Sequence, residues 1–259
     1  MMQKEHEMKE KKFDINENGM SIRCLSYSIS NIKDAENIVV ATYGFGGNKE
    51  NHAISEFAER LTGKYKSFAV ITFDWPCHGE DARKKLTISE CLQYLDLVNK
   101  YIRAEFNPSF IYNYSSSFGA YITLLYMHLY NNPYEKTGLR CPAVGMYDAM
   151  LKNIDNDGLL KLKKGKEILI GFDRKMKISS EFFDELKKYD ISKFDYIDYA
   201  DRILMVQGTC DEMAPIALTE KFSDRNVIEL IEVDGADHPF SNPRHMDTAI
   251  HSIIEFFAD

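Results

Sequence analysis

The sequence predicts an α/β fold, with a mostly parallel central sheet and helices on both faces. Three observations carry this. Short apolar runs at 37–42, 68–73 and 110–114 alternate with helical patterns at 52–65, 89–106 and 118–130, the rhythm of strands joined by crossover helices. Two later runs, 202–207 and 226–233, read as strands buried on both faces. With 259 residues, 44% of them hydrophobic, the chain can bury one sizeable core, and a second large domain is not expected.

The elements follow in order. Residues 1–12 are charged throughout and read as a flexible tail, without the apolar stretch of a secretory signal. Asn18-Gly19 between two strand-like runs is a hairpin signal, because both residues tolerate the positive φ of a tight primed turn. Strands and helices then alternate as far as Phe118–Tyr130, and Cys141–Tyr147 reads as the sixth strand. After it the rhythm stops until Arg202. The core is therefore expected over 13–147 and 202–259, with 148–201 as a lid inserted over the site. Within the insertion, 167–172 is strand-like and 181–189 is a short helix. Ser179 or Ser180 suits its cap, with acids in its first turn and lysines in its last.

The chemistry-bearing residues lie at the ends of these strands. Tyr114-Ser115-Ser116-Ser117-Phe118-Gly119 joins an apolar strand to a helix, so Ser117 is expected at the tip of a sharp strand-to-helix turn, with the amides behind it pointing toward an anion. Alone, Ser-x-Ser-x-Gly equally suits a polar loop that caps a helix. Chain order supports the nucleophile. Asp211 follows the run ending at Gln207, and His238 follows the run ending at Val233, which gives the order Ser117, Asp211, His238 at carboxyl ends of strands. Asp234 and Asp237 are too near His238 in sequence to aim at it. Asp211 is the preferred acid. His52 and His78 read as hydrogen-bonding loop histidines, and Cys77 and Cys210 as packing thiols.

On these residues the chain resembles the α/β-hydrolases, and within them small bacterial serine esterases such as the feruloyl esterases and their lysophospholipase-like relatives. Tyr43-Gly44-Phe45-Gly46-Gly47-Asn48-Lys49-Glu50 is similar to that family's His-Gly-Phe-x-Gly-x-x-Glu stretch, and 73–79 to its Asp-x-x-Gly-His-Gly loop. Tyr43, Cys77 and Ser115 depart from it, standing where the family has His, Gly and Gly. The resemblance implies a carboxylic ester hydrolase with Ser117, Asp211 and His238 as triad and the Phe45 and Phe118 amides as oxyanion hole. A thioesterase or acyltransferase, a small-peptide hydrolase and a silent binding protein share this framework. Trp75, Tyr147 and Phe172 are expected to line the substrate pocket.

Composition bounds the partners. The net charge is -8, with no basic stripe interleaved with aromatics, which argues against nucleic acid. No apolar run is long enough to insert in a bilayer, and five cysteines without ligand spacing suit reduced thiols in a cytoplasm. The expected partner is a small-molecule ester, and the triad chemistry needs neither a metal nor an organic cofactor.

Overall fold

The computed structural model of the chain describes residues 7–172 and 174–259. It opens with a hairpin of β1 (Lys9–Glu17) and β2 (Met20–Ser28), whose turn residues Asn18 and Gly19 have φ of 53° and 73°. Alternation then sets in with β3 (Asn37–Thr42), α1 (His52–Lys64), β4 (Phe68–Phe73), α2 (Ile88–Glu105), β5 (Phe110–Ser116), α3 (Phe118–Leu129) and β6 (Tyr134–Arg140). The excursion holds α4 (Met146–Lys152), α5 (Asn156–Lys163), a small hairpin of β7 (Ile168–Ile170) and β8 (Met176–Ile178), and α6 (Ser180–Lys188). The chain closes with β9 (Ile203–Gly208), α7 (Ile216–Asn226), β10 (Glu229–Val233) and α8 (Pro243–Ala258).

Eight strands form one sheet in the order β1-β2-β4-β3-β5-β6-β9-β10. Only β1 and β2 run antiparallel to their neighbours; the pairs from β4 to β10 are parallel. Strand order reverses at β3, which has β4 on one side and β5 on the other, so the loops after β3 and β5 splay apart and open a crevice at the carboxyl edge. All six residues of β4 and of β9 are buried, as strands covered on both faces must be. Local caps start the crossover helices where the sequence pattern begins. The Asn51 side chain accepts from the Ile54 amide at α1 and Thr87 from the Glu90 amide at α2, each satisfying one orphan donor.

Two expectations are corrected. Residues 9–12 are not tail but strand, paired from Lys9↔Ser28 to Lys12↔Leu25, while 1–6 lie outside the described residues. Exposed lysines on an edge strand discourage further pairing, so their charge belongs to the strand. The sixth strand is Tyr134–Arg140, not Cys141–Tyr147. Cys141 turns the chain with φ of 42° and Pro142 has no amide to give a ladder, so the apolar run lines a pocket instead of extending the sheet. Among the described residues no helix is long and apolar enough to cross a membrane.

Candidate active site

Ser117 is the hinge between β5 and α3. Its φ of 51° and ψ of -116° are costly for a residue with a Cβ, and its side chain takes no capping bond to α3. The strain is held from both sides, because the Ser117 amide donates to Arg140 O at 3.1 Å and the Tyr121 amide donates to Ser117 O at 3.0 Å. The freed hydroxyl lies 2.8 Å from His238 Nε2. His238 Nδ1 lies 2.7 Å from Asp211 Oδ2, and a carboxylate can only accept, so Nδ1 carries the proton and Nε2 receives the Ser117 hydroxyl.

Asp211 is fixed more firmly than either partner, with a fully buried side chain. Its Oδ1 accepts from the Met213 and Ala214 amides at 2.9 and 2.7 Å, and its Oδ2 also accepts from Gln207 Nε2 at 2.7 Å. Asp234 and Asp237 are engaged elsewhere, by the Thr209 hydroxyl and the Ser241 amide. The structure thus joins the three sequence-predicted residues in one hydrogen-bonded line at the carboxyl ends of β5, β9 and β10.

The two expected donor amides flank the same space. Phe118 is the first residue of α3, so its amide has no intrahelical acceptor. Phe45 lies in a turn closed by the Gly47 amide on Gly44 O at 3.2 Å, and a Cβ on Gly44 would sit 3.1 Å from Ser117 Cβ. Only glycine lets the loop come so near the hydroxyl. His78 packs against both rings, edge-on to Phe45 and stacked on Phe118.

A pocket of about 680 Å³ opens over Ser117 and His238. Its floor is the Gly44–Gly47 turn, and the excursion supplies walls through Met150, Leu169, Ile170 and Phe172. Phe172 sits where expected, its ring on Gly46, so that a Cβ there would meet Phe172 Cδ2 at 2.5 Å. Trp75 and Tyr147 do not. Trp75 is fully buried beneath the site against Phe73 and Phe118, because its amide and indole N–H bind Tyr43 and draw it inward. Tyr147 lines a neighbouring cavity of about 560 Å³ with Leu186 and Phe222, since α4 turns that face away from Ser117.

No family model matches the chain, and no curated protein matches it. Solved structures do. The esterase Est1E from Butyrivibrio proteoclasticus, with ferulic acid bound, superposes with a TM-score of 0.72 at 18% identity over 95% of this chain and 100% of that one. The esterase Pf2001 from Pyrococcus furiosus gives 0.70 at 14% identity, over 97% and 92%. An alpha-beta serine hydrolase homologue from Coxiella burnetii gives 0.65 at 13%, over 95% and 96%.

This chain has the α/β-hydrolase fold.

Its departures from the α/β-hydrolase motifs now have physical accounts. Ser115 replaces a glycine, and its hydroxyl is saturated: it donates to Asn113 Oδ1 at 2.6 Å, accepts from Thr42 Oγ1 at 2.7 Å and pairs with Thr123 Oγ1 at 2.9 Å. Tyr43 replaces a histidine and still ties the β3 loop to the β4 loop, donating to Asp74 Oδ1 at 3.3 Å and accepting from the Trp75 amide at 3.0 Å. Cys77 occupies a position with φ of 68°, which explains why glycine is usual there. Burial pushes its thiol up to about 12, so it stays protonated. Cys210 is exposed, His52 is the exposed first residue of α1, and His78 is a buried loop residue on the Pro76 carbonyl, all outside the triad.

Sequence reading passed over three contributors. Lys49 is buried and ion-paired with Asp74 at 3.0 Å and with Glu80, pinning the donor loop from below. Gln207 holds Asp211, and Arg140 underlies His238. Arg140, a cation between Leu139 and Cys141, carried a signal of its own, whereas Lys49 lies in a polar loop and Gln207 ends an apolar strand.

Proposed function

We propose that the protein is a serine hydrolase that cleaves carboxylic esters of small or aromatic acyl groups through an acyl-enzyme intermediate. The Ser117–His238–Asp211 line, with its 2.8 and 2.7 Å links on a strained elbow, carries the reading. In the first step Ser117 Oγ attacks the ester carbonyl as its proton passes to His238 Nε2. His238 then gives that proton to the leaving alcohol, and Asp211 stabilises the imidazolium while holding the tautomer. The Phe45 and Phe118 amides hold the oxyanion, each such donor contributing about 3 kcal/mol to the transition state. Water repeats the cycle on the acyl-enzyme. The Cys141 thiol lines the same pocket, but burial raises its pKa to about 11, which leaves the hydroxyl as nucleophile.

The pocket supports the acyl preference. Met146, Met150 and Met213 line it, and their soft thioethers suit an aromatic ring, as does the Phe172 ring above the donor turn. The likeness to an esterase holding ferulic acid favours the same class. The excursion 148–201 acts as the lid. The test is labelling with a fluorophosphonate probe together with turnover of short-chain and hydroxycinnamoyl esters. Label on Ser117, and a loss of at least about a thousandfold in Ser117→Ala with the fold kept, is the expected result. Undiminished turnover in Ser117→Ala overturns the reading.

A further inference from the structure

Arg140 is a buried charge that the proposed mechanism does not use. It is the last residue of β6 and is only 6% exposed, and among the described residues no carboxylate forms an ion pair with it. Burying an unpaired guanidinium is expensive, so its surroundings must return something. Nη1 faces His238 O at 3.5 Å and Pro239 O at 3.4 Å, long contacts that point the charge at the backbone of the histidine turn. The guanidinium carbon stands 5.3 Å from the Phe240 ring. Phe240 itself has φ of 59°, a strained conformation for a bulky residue. Three consecutive residues of the turn, 238 to 240, thus rest on one side chain. Nε has no hydrogen-bond partner among the described residues.

The same residue also holds the nucleophile. Arg140 pairs with Ser116 in the sheet, and its carbonyl accepts the Ser117 amide at 3.1 Å. Its backbone fixes the elbow and its side chain supports the base.

Resting on the triad reading above, we infer that Arg140 is a positioning residue that sets the distance between Ser117 and His238, its backbone holding the elbow and its guanidinium holding the turn that carries the base. Asp211 from the loop after β9, Tyr114 from β5 and Cys141 next in sequence are the charged and titratable groups around it.

The experiment compares Arg140→Lys, Arg140→Gln and Arg140→Met with wild type, using a neutral short-chain ester and one carrying a free carboxylate. Readouts are kcat, KM, thermal melting and fluorophosphonate labelling. Arg140→Met should lower kcat about 10- to 100-fold with little change in KM. Arg140→Gln should do the same. Arg140→Lys, which keeps the charge and loses the fork, should recover part of kcat. An unchanged kcat in both neutral variants overturns the inference, as does a loss confined to KM for the carboxylate ester, which would make Arg140 a substrate contact. Loss of cooperative melting in all three variants also overturns it, by making Arg140 a brace for the fold. Absence of label on wild-type Ser117 sinks the hydrolase reading instead.

Discussion

At the scale of single residues, the loops after β3 and β4 are organised by buried polar groups. His78 is the clearest case. Burial drives its pKa down from 6.5 to about 4, against the opposing pull of the Pro76 carbonyl on Nδ1 at 2.9 Å. Its Nε2 is buried without a partner among the described residues. Between about pH 6.5 and 4 the unfolded chain takes up a proton that the folded chain refuses, so stability is intact above this window and falls with acid, by on the order of 3 kcal/mol. His78→Gln should flatten that slope. Urea midpoints at pH 7 and 4.5 check it, and an equal drop in wild type and variant would place the acid sensitivity elsewhere.

Between residues and the whole lies the element, and the elbow shows how a motif can drift while its element survives. A side chain in place of the glycine before the nucleophile is tolerated because Thr42, Asn113 and Thr123 close a polar cluster around it, behind the hydroxyl that faces His238. Ser115→Ala should therefore cost about 1–3 kcal/mol, the penalty for stranding buried polar partners. Fluorophosphonate labelling of Ser117 should persist. A variant as stable as wild type would show that the cluster contributes nothing net. The elements most legible in the sequence were those with local signals: the primed turn at Asn18-Gly19 and the strand-to-helix junction at Ser117. The sixth strand was misread because Glu135 and Lys136, which follow its first residue, look like loop. Lys136 leaves the sheet to bond Phe256 O at 2.7 Å, and Glu135 is exposed. Chain order sufficed to bring Ser117, Asp211 and His238 forward, because parallel topology sends every strand end to one edge. Which aromatic faces the pocket was not legible, since that depends on where α4 turns and on the Tyr43 carbonyl that captures the Trp75 indole at 3.3 Å. The contribution of Arg140 was hidden for the same reason: it depends on a loop 98 residues away.

On the scale of the whole molecule, the excursion between β6 and β9 walls the pocket over Ser117. It is bound to the core at several points. Arg174 donates to Gly79 O at 2.6 Å and Arg83 O at 3.0 Å, and the Leu86 and Lys177 amides exchange bonds with Lys177 O and Lys84 O at 3.0 and 2.8 Å. Glu185 of α6 accepts from the Ile88 and Ser89 amides, where it meets the positive end of α2. Opening such a cover on a lipid surface would break these bonds together and would need a broad apolar underside to offset them. Among the described residues its exposed large apolar side chains are few: Leu169 and Phe172 line the pocket, and Leu160 and Ile197 lie outside it. The protein should therefore show no jump in activity when an ester crosses from monomer to micelle, and kcat/KM should peak at short or hydroxycinnamoyl esters rather than at palmitoyl. Arg174→Ala, which loosens the cover beside Phe172, should raise KM for the aromatic ester several-fold while leaving acetyl turnover within about twofold, because the small acyl group needs no wall above the donor turn. Rates measured across the micelle threshold for wild type and variant decide between the readings. A maximum at palmitoyl with interfacial activation would mean that the cover opens, and that the contacts binding it to the loop after β4 are a latch instead of a fixture.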